Sequence, residues 1–318
     1  MTWSELQSLI DKNNTFLITS HVNPDGDSIG SQMAFHWYLT TAGKRAVVYN
    51  ADPVPARLSF IHQPPVISTQ KPDGPFDVLV VLDSSNLSRL GWKDADKTAA
   101  TIINIDHHRD NTRFGAVNHV HPGAATGEIL YRFFTECDID FPLRVAEYLY
   151  VAIMTDTGGF RFSNTNGGIL RICGSLADMG ADCARLHELS YAFFSPTAMK
   201  LQSRIWSTLA FHLENRVCTM ELPLKLFDEL GAAPGDSEGM ADMTIMADSV
   251  TVGMLLKHDE RQTHFSLRSR DGFDVGDIAR KIKGGGGHTN AAGCTIEQPL
   301  ERALPVMLGI IRQELRQA

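Results

Sequence analysis

Four groups of aspartate and histidine each follow a short apolar run: His21, Asp25 and Asp27 behind FLITS, Asp83 behind DVLVVL, Asp106, His107 and His108 behind TIINI, and Asp156 behind VAIM. Carboxylates with a few imidazoles and no thiolate form a hard, oxygen-rich donor set. Such a set suits Mn2+ or Mg2+ better than structural zinc, and the imidazoles favour Mn2+. The four carboxylates of Asp25, Asp27, Asp83 and Asp156 balance the charge of two divalent cations and leave the pair free to attract an anion. Two metals about 3.5 to 4 Å apart can activate a water and clamp the attacking and leaving oxygens of a phosphoryl transfer, so the pattern points to a hydrolase. Plainer readings exist for each group. PDGD is good turn and helix-cap chemistry, so Asp25 and Asp27 could serve the backbone alone, and a lone aspartate such as Asp83 behind a strand is often a cap. Two adjacent histidines beside an aspartate are costlier to bury without partners.

For these residues to meet, the elements that carry them must end at one edge. Thr2 and Glu5 have capping-box spacing ahead of a short amphipathic helix bearing Leu6, Leu9 and Ile10. FLITS (16–20) reads as a buried strand, HVNPDGD as a loop, Ser28 to Ala42 as a helix and RAVVYN (45–50) as a second strand. DVLVVL (77–82) and TIINI (101–105) add two β-branched runs, with intervening lengths that suit helical crossovers. The expected fold class is α/β: a mainly parallel sheet with helices on its faces, in which ligands bind at the carboxyl ends of the strands. Beyond Pro142, apolar residues at Leu143, Ala146, Leu149 and Ile153 keep helical spacing until Gly158 and Gly159, which places Asp156 just past a helix end. Helices are expected at 166–179 and 196–212, strands in RVCTMEL, SVTVGMLL and THFSLRS, and a last helix over 299–316 striped by Leu300, Leu304, Met307, Ile311 and Leu315. The expected domains are 1–190, a helical linker over 191–215 and a smaller α/β domain over 216–318, with the active site in a cleft between the two.

A second feature is Gly284 to Gly287 followed by His288, set between KIK and the apolar AAGC run. A flexible linker would not sit there, and the Lys-Ser/Thr ending of a Walker loop is missing. Consecutive glycines let backbone amides approach a phosphate or a nucleobase closely. From Arg261 to His288 there are six Arg or Lys against three Asp, a local excess of positive charge in a chain of net −8. Glu128, on a helix beginning near Ala124, reads as a solvated or capping carboxylate. Phe160, Phe162, Phe193 and Phe194 could stack on bases, although core packing is the commoner fate.

HVNPDGDSIGS, the VVLDSS around Asp83, NIDHHRDN, TDTGGFRFSNT and KGGGGHTNAAGC, in that order, resemble the DHH phosphoesterase family with its C-terminal DHH-associated domain. The overall size is similar to the nanoRNase/pAp phosphatase (NrnA-like) branch, which is related to the exonuclease RecJ. The resemblance covers nearly the whole chain. It implies that His21 and Asp25 hold one metal, that Asp27, His107 and Asp156 hold the other, and that Asp83 bridges them. Asp106 would orient His107, and His108 would face the scissile phosphate, making Asp106, His107 and His108 the catalytic group. The implied cofactor is two Mn2+, with Mg2+ or Co2+ as alternatives. Arg268 and His288 would grip substrate phosphate or base, with Ser269, Gly286, Gly287, Asn290 and Lys283 as further contacts; arginine suits a bidentate phosphate grip. The implied substrates are oligoribonucleotides of a few residues, linear dinucleotides such as pApA or pGpG, and the 3′-phosphate of pAp. A cyclic-di-AMP phosphodiesterase, an exopolyphosphatase or pyrophosphatase, and a nucleotide-binding regulator with a vestigial site are the rival readings.

Composition narrows the field from the other side. A chain of 318 residues has room for two domains, and 43% hydrophobic residues place it in the globular class. Twenty-nine basic against 37 acidic residues make it a poor coat for long nucleic acid, where many phosphates must be neutralised. The five cysteines are odd in number and scattered, which excludes a disulfide scaffold. No apolar run reaches membrane-helix length, and MTWSELQSLIDKNN has neither a basic region nor an apolar signal core, so a cytoplasmic protein without membrane partners is expected. The expected partners are a short nucleotide substrate and a second copy of the chain in a homodimer.

Overall fold

Thr2 and Glu5 close a capping box, Thr2 N–H donating to the Glu5 carboxylate at 2.7 Å and Glu5 N–H to the Thr2 hydroxyl at 3.3 Å, and this starts helix α1 (Trp3–Lys12). The computed structural model describes residues 2–61, 67–192, 195–237, 239–270, 272–287 and 289–316. The chain divides into two units, Met1–Phe193 and Phe194–Ala318.

In the first unit the chain continues through β1 (Thr15–Thr19), α2 (Gly26–Thr41), β2 (Arg45–Tyr49), β3 (Ile67–Ser68), β4 (Phe76–Leu82), β5 (Ala99–Asp106) and β6 (Val117–Val120). The remaining helices are α3 (Thr126–Glu136), α4 (Leu143–Asp156), α5 (Gly167–Asp178) and α6 (Cys183–His187). All six strands are parallel in the order β3-β2-β1-β4-β5-β6, with Ile18 beside Val48 on one side and Val80 on the other. The order reverses between β1 and β4, the switch point where ligands bind in such sheets.

Alternation of side chains divides the strands between two faces. Phe16, Ile18, Val78, Val80, Leu82, Ile103 and Ile105 pack under Ile29 and Phe35 of α2, Leu130 and Phe133 of α3, and Leu149 and Ile153 of α4. Leu17, Leu79 and Val81 point the other way, against Leu90, Ala95, Trp92 and Phe114. Helices therefore cover one face, while turns and loops cover the other. The crossover from β4 to β5, expected to be helical, consists of two 3-10 turns, Leu87–Leu90 and Ala95–Lys97. Its sequence, SSNLSRLGWKDADK, is rich in turn formers and has no apolar stripe with which a longer helix could pack.

The second unit runs α7 (Pro196–Trp206), β7 (Ala210–His212), β8 (Val217–Pro223), α8 (Lys225–Leu230), β9 (Val252–His258), β10 (Thr263–Ser269), α9 (Val275–Arg280), β11 (Gly286–Gly287), β12 (Ala291–Ile296) and α10 (Leu300–Leu315). Its strand order is β11-β12-β10-β9-β8-β7, antiparallel except for β8 beside β9. The helix expected over 196–212 stops at Trp206, because the Ser207 and Thr208 hydroxyls donate to the carbonyls of Arg204 and Ile205 and the chain turns into β7. Leu201 and Ile205 of α7 pack with Met220, Leu222 and Leu255, so this helix belongs to the core of the second unit. On the other face Leu300, Met307, Ile311 and Leu315 of α10 are buried against Val252, Met254 and Phe265, with Leu304 partly buried. Among the described residues no helix is long and apolar enough to cross a membrane.

Candidate metal centre

The residues just after β1, β4 and β5 meet at the switch point. His21 is 5% exposed; its Nδ1 pairs with the Val22 carbonyl oxygen at 2.7 Å, which leaves Nε2 facing Asp83 Oδ2 at 3.4 Å and Asp25 Oδ2 at 3.9 Å. Asp25 serves both readings of its motif. One oxygen caps α2 by accepting from Ser28 N–H at 3.0 Å, and the other turns to His21. Asp27, fully buried, accepts from the N–H groups of Thr126 (2.6 Å) and Gly127 (2.9 Å) in the first turn of α3, and from the Ser31 hydroxyl at 3.1 Å. A helix start offers just such unpaired donors to an anion. Asp83 ends β4 in a left-handed conformation, φ 55°, and lies between the two histidines: Oδ2 faces His21, and Oδ1 is 3.4 Å from His107 Nε2 and accepts from the Thr126 hydroxyl at 3.2 Å.

His107 follows the same plan as His21. Its Nδ1 pairs with the Gly123 carbonyl oxygen at 3.2 Å, and Nε2 looks into the carboxylates of Asp83, Asp156 (3.5 Å) and Asp27 (3.8 Å). Asp156 is the last residue of α4, one position earlier relative to the helix end than its spacing predicts. The donors form two triads, His21 with Asp25 and Asp83, and Asp27 with His107 and Asp156; within each triad the ligand atoms lie within 4.8 Å of one another. Asp83 and His107, joined with His108 in a third such group, connect the two.

Charge is out of balance in this cluster. Burial, followed by repulsion from Asp83, holds the Asp27 carboxyl well above its usual range. Burial also lifts Asp156 to about 7, against the pull of His107. For Asp83 burial acts the same way but is outweighed by the bonds to His107 and His21, which hold its carboxyl well below the usual range. Burial lowers both imidazoles, yet their acidic partners win: His21 is raised to about 9 and His107 to about 11. Carboxylates that cling to protons and imidazoles that cling to charge are calling for cations. The donors fit a divalent ion on a second ground as well. Each histidine spends Nδ1 on a backbone carbonyl and presents Nε2, the orientation that prepares an imidazole to ligate.

His108 and Asp106 differ from expectation. Asp106, fully buried, bonds His108 Nδ1 at 2.7 Å rather than His107, and its other oxygen accepts from Asn111 Nδ2 at 2.5 Å. Asn111 also donates to Asn104 Oδ1 (2.7 Å) and the Ser84 carbonyl (3.2 Å). Asp106 thus orients His108, while the Gly123 carbonyl orients His107. His108 Nε2 lies 3.4 Å from Nη1 of Arg89. Arg89, Asn111, Thr126 and the backbone of Gly123 and Gly127 escape a reading of the sequence. Arg89 and Asn111 each lie within six residues of a ligand, a proximity that could have flagged them; the backbone groups leave no side-chain signal.

In the second unit Arg268 on β10 pairs with Asp242 at 2.5 Å and donates to the Leu267 carbonyl. The Ser269 hydroxyl, 5% exposed, is occupied by the carbonyls of Phe273 (2.6 Å) and Thr289 (2.9 Å), so it ties the loop to the strand. Gly286 and Gly287 pair with Gly293 and Ala292 of β12. Gly287, at φ 145°, would drive a Cβ to 2.4 Å from Ala292 Cα, whereas a Cβ on Gly286 would meet nothing within 4 Å. Asn290 and Lys283 are exposed, and the Asn290 carbonyl accepts from Ser269 N–H at 3.1 Å. His288 lies outside the described residues, as do Phe193 and Phe194. Glu128, 9% exposed, accepts from Ala124 N–H at 2.9 Å just ahead of α3 and pairs with Arg132, so it is neither solvated nor a helix cap. Phe160 packs on the core beside Tyr150, and Phe162 is 51% exposed under Arg161.

Residues 15–153 match the N-terminal domain of the DHH family, and residues 214–317 match the DHHA1 domain. The bifunctional oligoribonuclease and PAP phosphatase NrnA of Thermus thermophilus is 34% identical over 306 residues, which cover 95% of this chain and 90% of that protein. Its Bacillus subtilis namesake is 23% identical over 297 residues, 92% and 93% of the two chains. An exopolyphosphatase-related protein from Bacteroides fragilis has the same fold, with a TM-score of 0.89 at 24% identity over 99% of this chain and 95% of that one. RecJ from Thermus thermophilus in complex with Mn2+ matches at a TM-score of 0.55 and 13% identity, over 99% of this chain and 54% of that one.

Proposed function

The chain belongs to the DHH family, in its NrnA-like branch with a DHHA1 second unit, and from this membership we propose that it hydrolyses short oligoribonucleotides and linear dinucleotides to mononucleotides, and pAp to AMP. The observation that carries the reading is the convergence of six donors from four stretches of sequence into two triads linked through Asp83 and His107. His21 and Asp25 would hold one Mn2+, Asp27, His107 and Asp156 the other, and Asp83 would reach both. Bound there, the ions would supply a water of lowered pKa and positive charge against the phosphoryl oxygens.

The chain's own residues do the rest. Asp27, fixed by two N–H groups of α3, cannot swing away when the charge in the site changes. Asp106 holds Nδ1 of His108 and aims Nε2 outward. Burial lowers the His108 pKa, but the bond to Asp106 and the charges of Asp83 and Asp106 raise it overall, which favours the protonated ring that a donor to the leaving oxygen needs. The net −8 of the chain disfavours long polyanions and leaves short ones with few phosphates. Arg268, His288, Ser269, Gly286, Gly287 and Asn290 are the proposed substrate contacts of the second unit, and the cytoplasm is the proposed setting.

Turnover of pAp, pApA, cyclic-di-AMP, a pentaribonucleotide and polyphosphate, measured side by side with Mn2+, tests the reading. We expect the fastest turnover on pApA or pAp, abolished by EDTA and by Asp83→Asn. Turnover confined to polyphosphate, or fastest on cyclic-di-AMP, would overturn the substrate assignment, and binding without any turnover would make the chain a nucleotide receptor.

A further inference from the structure

Building on the phosphoesterase reading, we infer that Arg89 is a substrate ligand of the first unit, donating to a non-bridging oxygen of the phosphoryl group that is cut, next to the leaving oxygen that His108 serves. The backbone of Arg89 is fixed beside the ligands. It lies in the 3-10 turn Leu87–Leu90, capped by the Asn86 side chain, which accepts from Arg89 N–H at 3.2 Å. The Arg89 carbonyl accepts from Val22 N–H at 2.7 Å, tying this turn to the loop that carries His21 and Asp25. Gly91 follows at φ 77°, and a Cβ there would lie 2.3 Å from Val22 Cγ1, so turn and loop are in closest contact.

From that anchor the half-buried guanidinium reaches toward Nε2 of His108 and stops at 3.4 Å. Among the described residues no carboxylate forms an ion pair with Arg89, although Asp25, Asp83 and Asp106 all lie in the same neighbourhood; Arg268 in the second unit, by contrast, is already paired with Asp242. A guanidinium carries five donors in a planar fork, and this one has most of them unspent. His108 has committed Nδ1 to Asp106, so Nε2 is its working nitrogen, and it faces the same space as the guanidinium. The guanidinium and this ring nitrogen therefore open on one phosphoryl group, Arg89 toward a non-bridging oxygen and His108 toward the leaving oxygen.

Charge points the same way. Asp106 adds a fifth carboxylate to Asp25, Asp27, Asp83 and Asp156, so two divalent ions leave the site one unit negative. Arg89 cancels that unit while His108 is neutral and makes the site net positive once His108 is charged. A phosphate then enters a site without net repulsion, and the cation stands next to the imidazole assigned to the leaving oxygen. A contact of this kind, at the group whose charge redistributes as the bond breaks, acts on kcat as well as on KM.

The experiment compares Arg89→Gln, Arg89→Lys and Arg89→Ala with wild type on pApA and pAp, with Mn2+ stoichiometry by calorimetry and the thermal midpoint measured on each. We expect Arg89→Gln to lose on the order of 10² to 10³-fold in kcat/KM, most of it in kcat. Arg89→Lys should recover part of the loss, and added guanidinium should raise the activity of Arg89→Ala, with Mn2+ stoichiometry and midpoint unchanged throughout. Arg89→Gln within about threefold of wild type would overturn the inference. So would a parallel loss of Mn2+, since the turn would then serve only to hold the ligands. Wild type inert toward every phosphoester would instead bring down the functional reading, and this inference with it.

Discussion

Gly30 is where helix packing sets the distance between ligands, and Gly30→Ala should therefore damage both stability and chemistry. Gly30 lies in α2, three residues after Asp27, and a Cβ on it would be 2.4 Å from the Tyr148 carbonyl oxygen of α4, 3.0 Å from Ala152 Cβ and 3.3 Å from Ala152 N. Ordinary contact begins at 3.4 Å, and the nearest obstacle is backbone that cannot rotate aside, so the helices must part by about 1 Å. Such overpacking costs about 1 to 3 kcal/mol, and alanine returns about 1 kcal/mol of helix propensity, which leaves a net destabilisation of up to about 2 kcal/mol. The larger effect falls on the site. α2 starts beside Asp27 and α4 ends at Asp156, two donors of one triad, and a displacement of about 1 Å between them can lower turnover about 10²-fold. Urea denaturation gives the first quantity, and kcat on pApA with Mn2+ gives the second. Gly174→Ala is the control: it lies mid-helix in α5, a Cβ there would meet nothing within 4 Å, and it should be neutral or stabilising. Gly30→Ala as stable and as active as wild type would refute the idea that this contact sets the spacing of the ligands.

Two further expectations follow from the site and from the sheet edge. Asp106→Asn removes the anionic partner of His108 Nδ1 and should lower kcat about 10² to 10⁴-fold while Mn2+ stoichiometry holds, because His107 is oriented by Gly123; lost Mn2+ binding with the proton-transfer step intact would show that Asp106 serves His107 after all. On β6, His119 is 2% exposed and stacks on Trp3 at 4.3 Å, and burial lowers its pKa to about 4. The unfolded chain takes up this proton below about 6.5 and the folded chain does not until about 4, so stability is complete above pH 6.5 and falls across that window, by up to about 3 kcal/mol. His119→Phe should flatten the pH dependence of the urea midpoint in that range; an unchanged slope would clear His119 of the role.

The proposed ligands were legible in the sequence because each follows an apolar run that can only be a buried strand or helix, and such elements in a parallel sheet deliver their ends to one edge. Asp25, Asp27, Asp83 and Asp156 could be picked out on that logic alone, whereas the choice of His21 and His107 among the histidines came from the family resemblance. Whether Asp106 turns to His107 or to its neighbour could not, since it depends on how Asn111 folds back from the following loop to take the other oxygen. The thin cover of 3-10 turns over one face of the first sheet also escaped, because spacing between strands reports the length of a connection and not whether it has a stripe with which to pack. The strand VNHV is short and carries Asn and His at a sheet edge, so alternation had too few positions on which to register. Helix α7 read well at its capped start, Ser195 ahead of Pro196, and badly at its end, where two hydroxyls rather than a glycine finish it.

All six donors lie between His21 and Asp156, and the main core beneath them is closed by residues no later than Leu186, with Tyr191 packed at its margin. The glycine strand and Arg268 rest on separate cores that begin with α7. The proposed metal centre and the substrate contacts proposed for the second unit thus rest on different cores within one chain. If those contacts hold the substrate, drift in the later core would reshape which nucleotide is preferred without disturbing the acid and imidazole geometry, a route to new specificities in which the chemistry is inherited whole.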